Sequence, residues 1–178
     1  MKNFIIILLL LAAIPACEIE SYLLQEKEIE VGNIYDYNFE GSEEIPEFED
    51  YYEVMTWILS NFKYTLENGD YWQTPEETFY LRNENNKMIG DCEDFSILLQ
   101  FIIEKQFNVK TVLYIIKYSD GSQHAVAYFN NKFYDFTIDG NYMIYNHLTN
   151  DIEIMHVISY SEVIWMTVNY HDNVGRYK

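Results

Sequence analysis

Cysteine is nearly absent from this chain: Cys17 and Cys92 are the only two in 178 residues. Two cysteines cannot build a disulfide framework, so stability has to come from packing. Bases are scarce too, with 11 Lys and Arg against 29 Asp and Glu and a formal net charge of −18. Phosphate binding needs a Lys/Arg surface, and its lack argues against a nucleic-acid partner. The longest apolar run, 4–13, would span about 15 Å as a helix, too short for a bilayer core of about 30 Å. There is no internal repeat, no phosphate loop and no Ser-nucleophile motif. His147, His156 and His171 lack metal-ligand spacing. What remains is a chain 49% hydrophobic and 17% aromatic, too apolar for a disordered or collagen-like polymer and long enough for one core.

The N-terminal run follows Lys2 and ends in Ile14-Pro15-Ala16, the pattern of a secretory signal over residues 1–16. Cys17 directly after Ala16 resembles the lipobox of bacterial lipoproteins, in which that cysteine is acylated. An ordinary signal peptide cut nearby is the alternative. Lipidation is favoured because Cys17 has no other evident use. Residues 18–53 carry 13 acids and one base. Residues 17–48 accordingly read as an acidic, solvated tether between a membrane and a domain at 49–178.

Within the domain, Tyr52, Met55, Trp57, Ile58, Leu59 and Phe62 fit one helical face. Thr74, Pro75 and Glu77 form a capping box opening a short helix. Asp91 caps a strong helix whose Phe95, Leu98, Leu99, Ile102 and Ile103 keep helical spacing. The period then becomes that of strands at 111–118, 124–129 and 132–137, with Asp120-Gly121 and Asn130-Asn131 as hairpin turns. Further strands are expected at 142–145, 152–158 and 164–169. Helices first and an antiparallel sheet after them make an α+β domain.

Cys92 falls at the start of its helix, where the dipole and free N–H groups favour thiolate. Its backbone N–H can also face an oxyanion. A thiol nucleophile needs a base, and the base needs an orienting group. His124 opens a strand 32 residues on, and Asp135 lies 11 residues beyond it across a two-residue turn. The two become near cross-strand neighbours, giving a Cys92–His124–Asp135 triad. Asp139 can replace Asp135, although Asp-Gly usually marks a turn.

A helix-start cysteine followed by His and Asp on successive antiparallel strands resembles the transglutaminase-like superfamily, which shares the papain-like catalytic arrangement. Trp72-Gln73-Thr74-Pro75-Glu76-Glu77, Gly90-Asp91-Cys92-Glu93-Asp94 and His124-Ala125-Val126-Ala127 are most similar to the bacterial transglutaminase-like cysteine proteinases. The resemblance covers about residues 55–140. It implies a papain-like core of N-terminal helices on an antiparallel sheet, with Cys92 as nucleophile, His124 as base and Asp135 as orienting acid. Gln73 becomes a candidate oxyanion donor, as an upstream glutamine is in papain-like enzymes. Members that cleave adhesins bind Ca²⁺ through acids beside the cysteine, which map onto Asp91 and Glu93, with Asp94 a third candidate; helix capping alone is the other reading of these acids. No cofactor is otherwise required. The short His-to-Asp interval and Phe136-Thr137 after Asp135 depart from the adhesin proteases, so the resemblance reaches the fold and triad rather than that specificity.

These readings lead to an exported peptidase or amidase, lipid-anchored in a bacterial cell envelope and acting on a protein or peptide there. Acyl transfer to an amine (transglutaminase) and a non-catalytic envelope binding module of the same fold are the alternatives.

Overall fold

A computed structural model describes residues 37–66, 71–137 and 141–170. The leader at 1–16, Cys17, Asp139 and His171 lie outside the described residues. Within them no helix is long and apolar enough to cross a membrane.

Asp50 caps the first helix, α1 (Tyr51–Asn61), by accepting from the Glu53 N–H at 2.9 Å. The helix turns Val54, Met55 and Ile58 inward. Tyr52, expected on that face, is instead 57% exposed. The chain passes directly into β1 (Phe62–Tyr64), which pairs in parallel with β2 (Met88–Gly90), so that Tyr64 lies opposite Gly90. Between them, α2 (Pro75–Tyr80) opens with the expected capping box of Thr74 and Glu77.

Next, α3 (Cys92–Phe107) is buried on nearly all sides through Ile103 and ends at Asn108 in the left-handed conformation. A helix buried on nearly all sides belongs at the centre of a fold, and this one runs under the sheet. The sheet holds β3 (Val112–Lys117), β4 (Gln123–Phe129), β5 (Lys132–Phe136), β6 (Tyr142–Tyr145) and β7 (Glu153–Ser159) in the order β6-β5-β4-β3-β7, antiparallel throughout. The β4–β5 turn has Asn130 at φ 48° and Asn131 at φ 58°, the geometry asparagine tolerates best after glycine. One face of the sheet, including Leu113, Ile115, Ala125, Ala127 and Phe136, joins the main core with α1 and α3. The small Ala125 and Ala127 let α3 approach β4. The other face carries a second cluster around Tyr114, Ile116, Val126 and Phe133. The mixed α/β architecture with its antiparallel five-stranded sheet agrees with the α+β reading.

Two segments differ from the sequence expectation. Residues 164–169 are not a strand but part of α4 (Tyr160–Tyr170). Tyr160, Val163, Ile164 and Thr167 are buried at helical spacing. Ser159 and Glu162 bond reciprocally, each side chain to the other's backbone N–H, and so start the helix. The described part of the acidic segment, 37–48, is docked rather than solvated. Phe39 and Ile45 sit in the core, Phe39 lying 5.6 Å from Phe79 and 5.3 Å from Phe101 between ring centroids. Gln106 ties the segment down through Pro46 O and the Phe48 N–H. Burying one phenylalanine is worth about 2 kcal/mol, enough to order a short acidic stretch whose charges still face water.

Candidate active site

The five residues from Gly90 to Asp94 carry the site, and Asp94 holds them in place. Asp94 is fully buried; its Oδ2 accepts from the Asp91 N–H at 3.1 Å and its Oδ1 from the Gln73 N–H at 2.8 Å. One carboxylate thereby joins the segment before α2 to the start of α3. Gly90 is required for that approach, because a Cβ there would meet Asp94 Oδ2 at 2.5 Å.

Cys92 is the first residue of α3 and is half-buried. Its Sγ donates to Glu93 Oε2 at 3.1 Å. Burial pushes the thiol well above its ordinary range, and the carboxylates of Glu93 and then Asp91 push the same way; the Ala125 backbone N–H opposes them. A helix N-terminus alone would lower the thiol, as expected from sequence. Loss of water and the neighbouring acids outweigh that helix-end effect of about 1 kcal/mol. Burial first, with the nearby Asp91 carboxylate pushing the same way, holds the Tyr64 phenol far above its usual range, so it remains an O–H donor.

His124, on β4, meets Asp135, on β5, with 2.6 Å between Nε2 and Oδ1. The two strands are laddered from Ala127–Tyr134 to Phe129–Lys132, and the pairing stops there. Beyond that point α3 takes up the open backbone of β4: Ser96 Oγ donates to Ala125 O at 3.3 Å. Ser96 lies one turn after Cys92, and Ala125 directly follows His124. The helix start and the imidazole are therefore fixed to the same end of β4. The Tyr118 ring stacks on His124 at 6.2 Å. Tyr145 on β6 donates to Asp135 Oδ2 at 3.3 Å.

Asp91, Cys92 and Glu93 place one ligand atom each within 4.8 Å of one another, the one such group among the described residues. Glu93 is pushed up to about 8, by burial first and then by its hydrogen bond to and charge repulsion from Asp91. Two buried carboxylates that repel one another are hard donors, and the pair fits a hard cation such as Ca²⁺ as part of a larger oxygen set. Asp94 does not belong to it, since its oxygens hold the Asp91 and Gln73 N–H groups. Gln73 is at the site, but it is buried and its amide donates to Ile89 O at 3.3 Å. Trp72 packs against the main core, and His147 and His156 are exposed.

Ser96, Tyr64, Tyr118 and Tyr145 are the members that sequence reasoning misses. With 17 tyrosines in the chain, none of the three stands out. Strand parity was the one available signal for Tyr145.

No protein-family model matches the chain, and no curated protein matches it.

Proposed function

We propose that this protein is a thiol-dependent peptidase or amidase with a transglutaminase-like, papain-like core. The observation that carries the reading is the 2.6 Å His124–Asp135 pair placed at the end of β4 that also holds the start of the Cys92 helix. Because Asp135 engages Nε2, Nδ1 is the nitrogen left to accept the thiol proton. Sγ then attacks a carboxamide or peptide carbonyl, and the oxyanion faces the Cys92 backbone N–H. The imidazolium returns its proton to the departing amine, leaving an acyl thioester. Water, activated by the same imidazole, releases the acid and restores the thiol; an amine in its place makes the reaction acyl transfer. The raised thiol favours general-base catalysis during attack over a standing thiolate–imidazolium pair.

Asp91 and Glu93 are the residues that would hold a Ca²⁺ ion, and a bound cation supplies positive charge beside the thiol. The leader and Cys17 support export and a lipid anchor in a bacterial envelope, with envelope proteins or peptides as substrates. A second reading, a binding module without turnover, is favoured by the neutral thiol bonded to Glu93.

The test compares envelope proteomes of cells carrying the wild type or Cys92→Ala, reading cleaved or cross-linked termini. New termini that vanish in the variant support hydrolysis, and isopeptide links support acyl transfer. Identical proteomes, with no Cys92-dependent turnover of an activated ester, would sink both in favour of the binding module.

A further inference from the structure

We propose that Tyr145 is a positioning residue that fixes the Asp135 carboxylate, so that three adjacent strands rather than two build the base. This inference rests on the Cys92–His124–Asp135 reading above.

Alternate residues of a strand share a face. On β5 and β6, Asp135 lies opposite Met143 and Phe133 opposite Tyr145, so Asp135 and Tyr145 are diagonal neighbours on one face. His124, two residues from Val126 and opposite Ile116, is on the same side of the sheet. Asp135 is 2% exposed, with water almost excluded from its carboxylate. Its two oxygens have different partners: Oδ1 takes the imidazole at 2.6 Å and Oδ2 takes the Tyr145 hydroxyl at 3.3 Å. A buried carboxylate held at one oxygen can rotate about its Cβ–Cγ bond. Held at both, it has one orientation, with Oδ1 aimed at Nε2.

The tyrosine is itself held. Its ring stacks on Phe133 with centroids 5.4 Å apart and planes 17° from parallel. Burial, and then the charge of Asp135, raise its phenol far above the ordinary range, so it acts as a donor and never as an anion. The effect on chemistry passes through the histidine. An Asp135 locked on Nε2–H holds the neutral imidazole in the tautomer whose Nδ1 is bare and able to accept the thiol proton. Without Tyr145 the carboxylate turns, and the second tautomer, in which Nδ1 carries the proton and cannot act as base, becomes populated.

Tyr145→Phe keeps the stacked ring and deletes only the donor. The direct measurement is ¹⁵N NMR of the His124 ring nitrogens in the full chain, with the ring neutral. Wild type should show the Nε2–H tautomer almost alone. The variant should show a mixture, a change of about tenfold in the tautomer ratio. Acylation of Cys92 by p-nitrophenyl acetate should slow about tenfold, with no matching change in ester affinity. Should the variant fail to fold, 4-fluorophenylalanine placed at 145 fills the hydroxyl's volume without donating, and it should show the same mixture. A ratio unchanged in Tyr145→Phe, or unchanged in the fluorophenylalanine protein, overturns the proposal. Failure of the parent reading looks different: Cys92→Ala would leave ester turnover intact, while the tautomer ratio still responded to position 145.

Discussion

Replacing Glu93 by glutamine should make Cys92 more reactive, the reverse of what loss of a catalytic acid would do. The thiol donates to Glu93 Oε2 at 3.1 Å, so a thiolate would lie directly against a carboxylate. At that separation and an effective dielectric near 20, two full charges repel by about 5 kcal/mol. Glu93 is itself held up to about 8 and is protonated through much of the neutral range, which removes a large part of that repulsion. About 3 kcal/mol of repulsion remains, within the usual span for a like-charge neighbour. Thiolate at pH 8 then rises about a hundredfold. A less basic thiolate is also a poorer nucleophile, with a Brønsted slope of roughly 0.4–0.5, and returns nearly a factor of ten. Iodoacetamide should thus alkylate Cys92 about tenfold faster at pH 8 in Glu93→Gln than in wild type. Mass spectrometry of the Cys92 peptide over pH 6–10 measures this and separates it from Cys17. Superimposable profiles, or a slower variant, would refute the account of how this thiol is held.

Four other outcomes follow from the same geometry. The Glu93 carboxyl is raised from its ordinary 4.5 to about 8, so the folded chain binds that proton more tightly than the unfolded one. Its stabilising contribution is complete below pH 4.5 and is lost as pH climbs through 8; Tm should decline over that window, and Glu93→Gln should flatten the decline. Gly90→Ala drives a Cβ to 2.5 Å from Asp94 Oδ2 and should lose about 1–3 kcal/mol in urea unfolding, with slower Cys92 labelling. Ser159→Ala removes the side-chain acceptor at the start of α4 and should lose about 1 kcal/mol by the same measurement without changing labelling. Millimolar Ca²⁺ should raise Tm in wild type and leave the doubly substituted Asp91→Asn, Glu93→Gln chain unmoved; equal responses in both would place any bound ion elsewhere.

Those features that obey local rules were legible in the sequence. Thr74 to Glu77 is a capping box wherever it occurs, and Asn130-Asn131 dictates a tight hairpin. With that turn set, the His124–Asp135 pairing followed from strand parity. Features decided by distant partners were not legible. The run from Val163 to Val168 is apolar enough for a strand, and only the core beneath Tyr160, Val163 and Ile164 selects a helix. The parallel β1–β2 pair has three residues a side, too few to show a period. Phe39 and Ile45 are single apolar residues among acids, and their sequence neighbours say nothing about Phe79 and Phe101. At the site, the position of Cys92 was readable from its helix start. Its protonation was not, because that depends on burial and on which way the Glu93 side chain turns.

The early end of the β4–β5 ladder has a mechanical side. Ser96, one turn after Cys92 in α3, is hydrogen-bonded to the carbonyl of Ala125. Helix and strand are thus riveted at a single residue, adjacent to the imidazole. Breathing of the whole sheet would carry the helix start and this end of β4 together. Sliding of α3 along β4 is the motion that would separate them, and that motion has to break the rivet first.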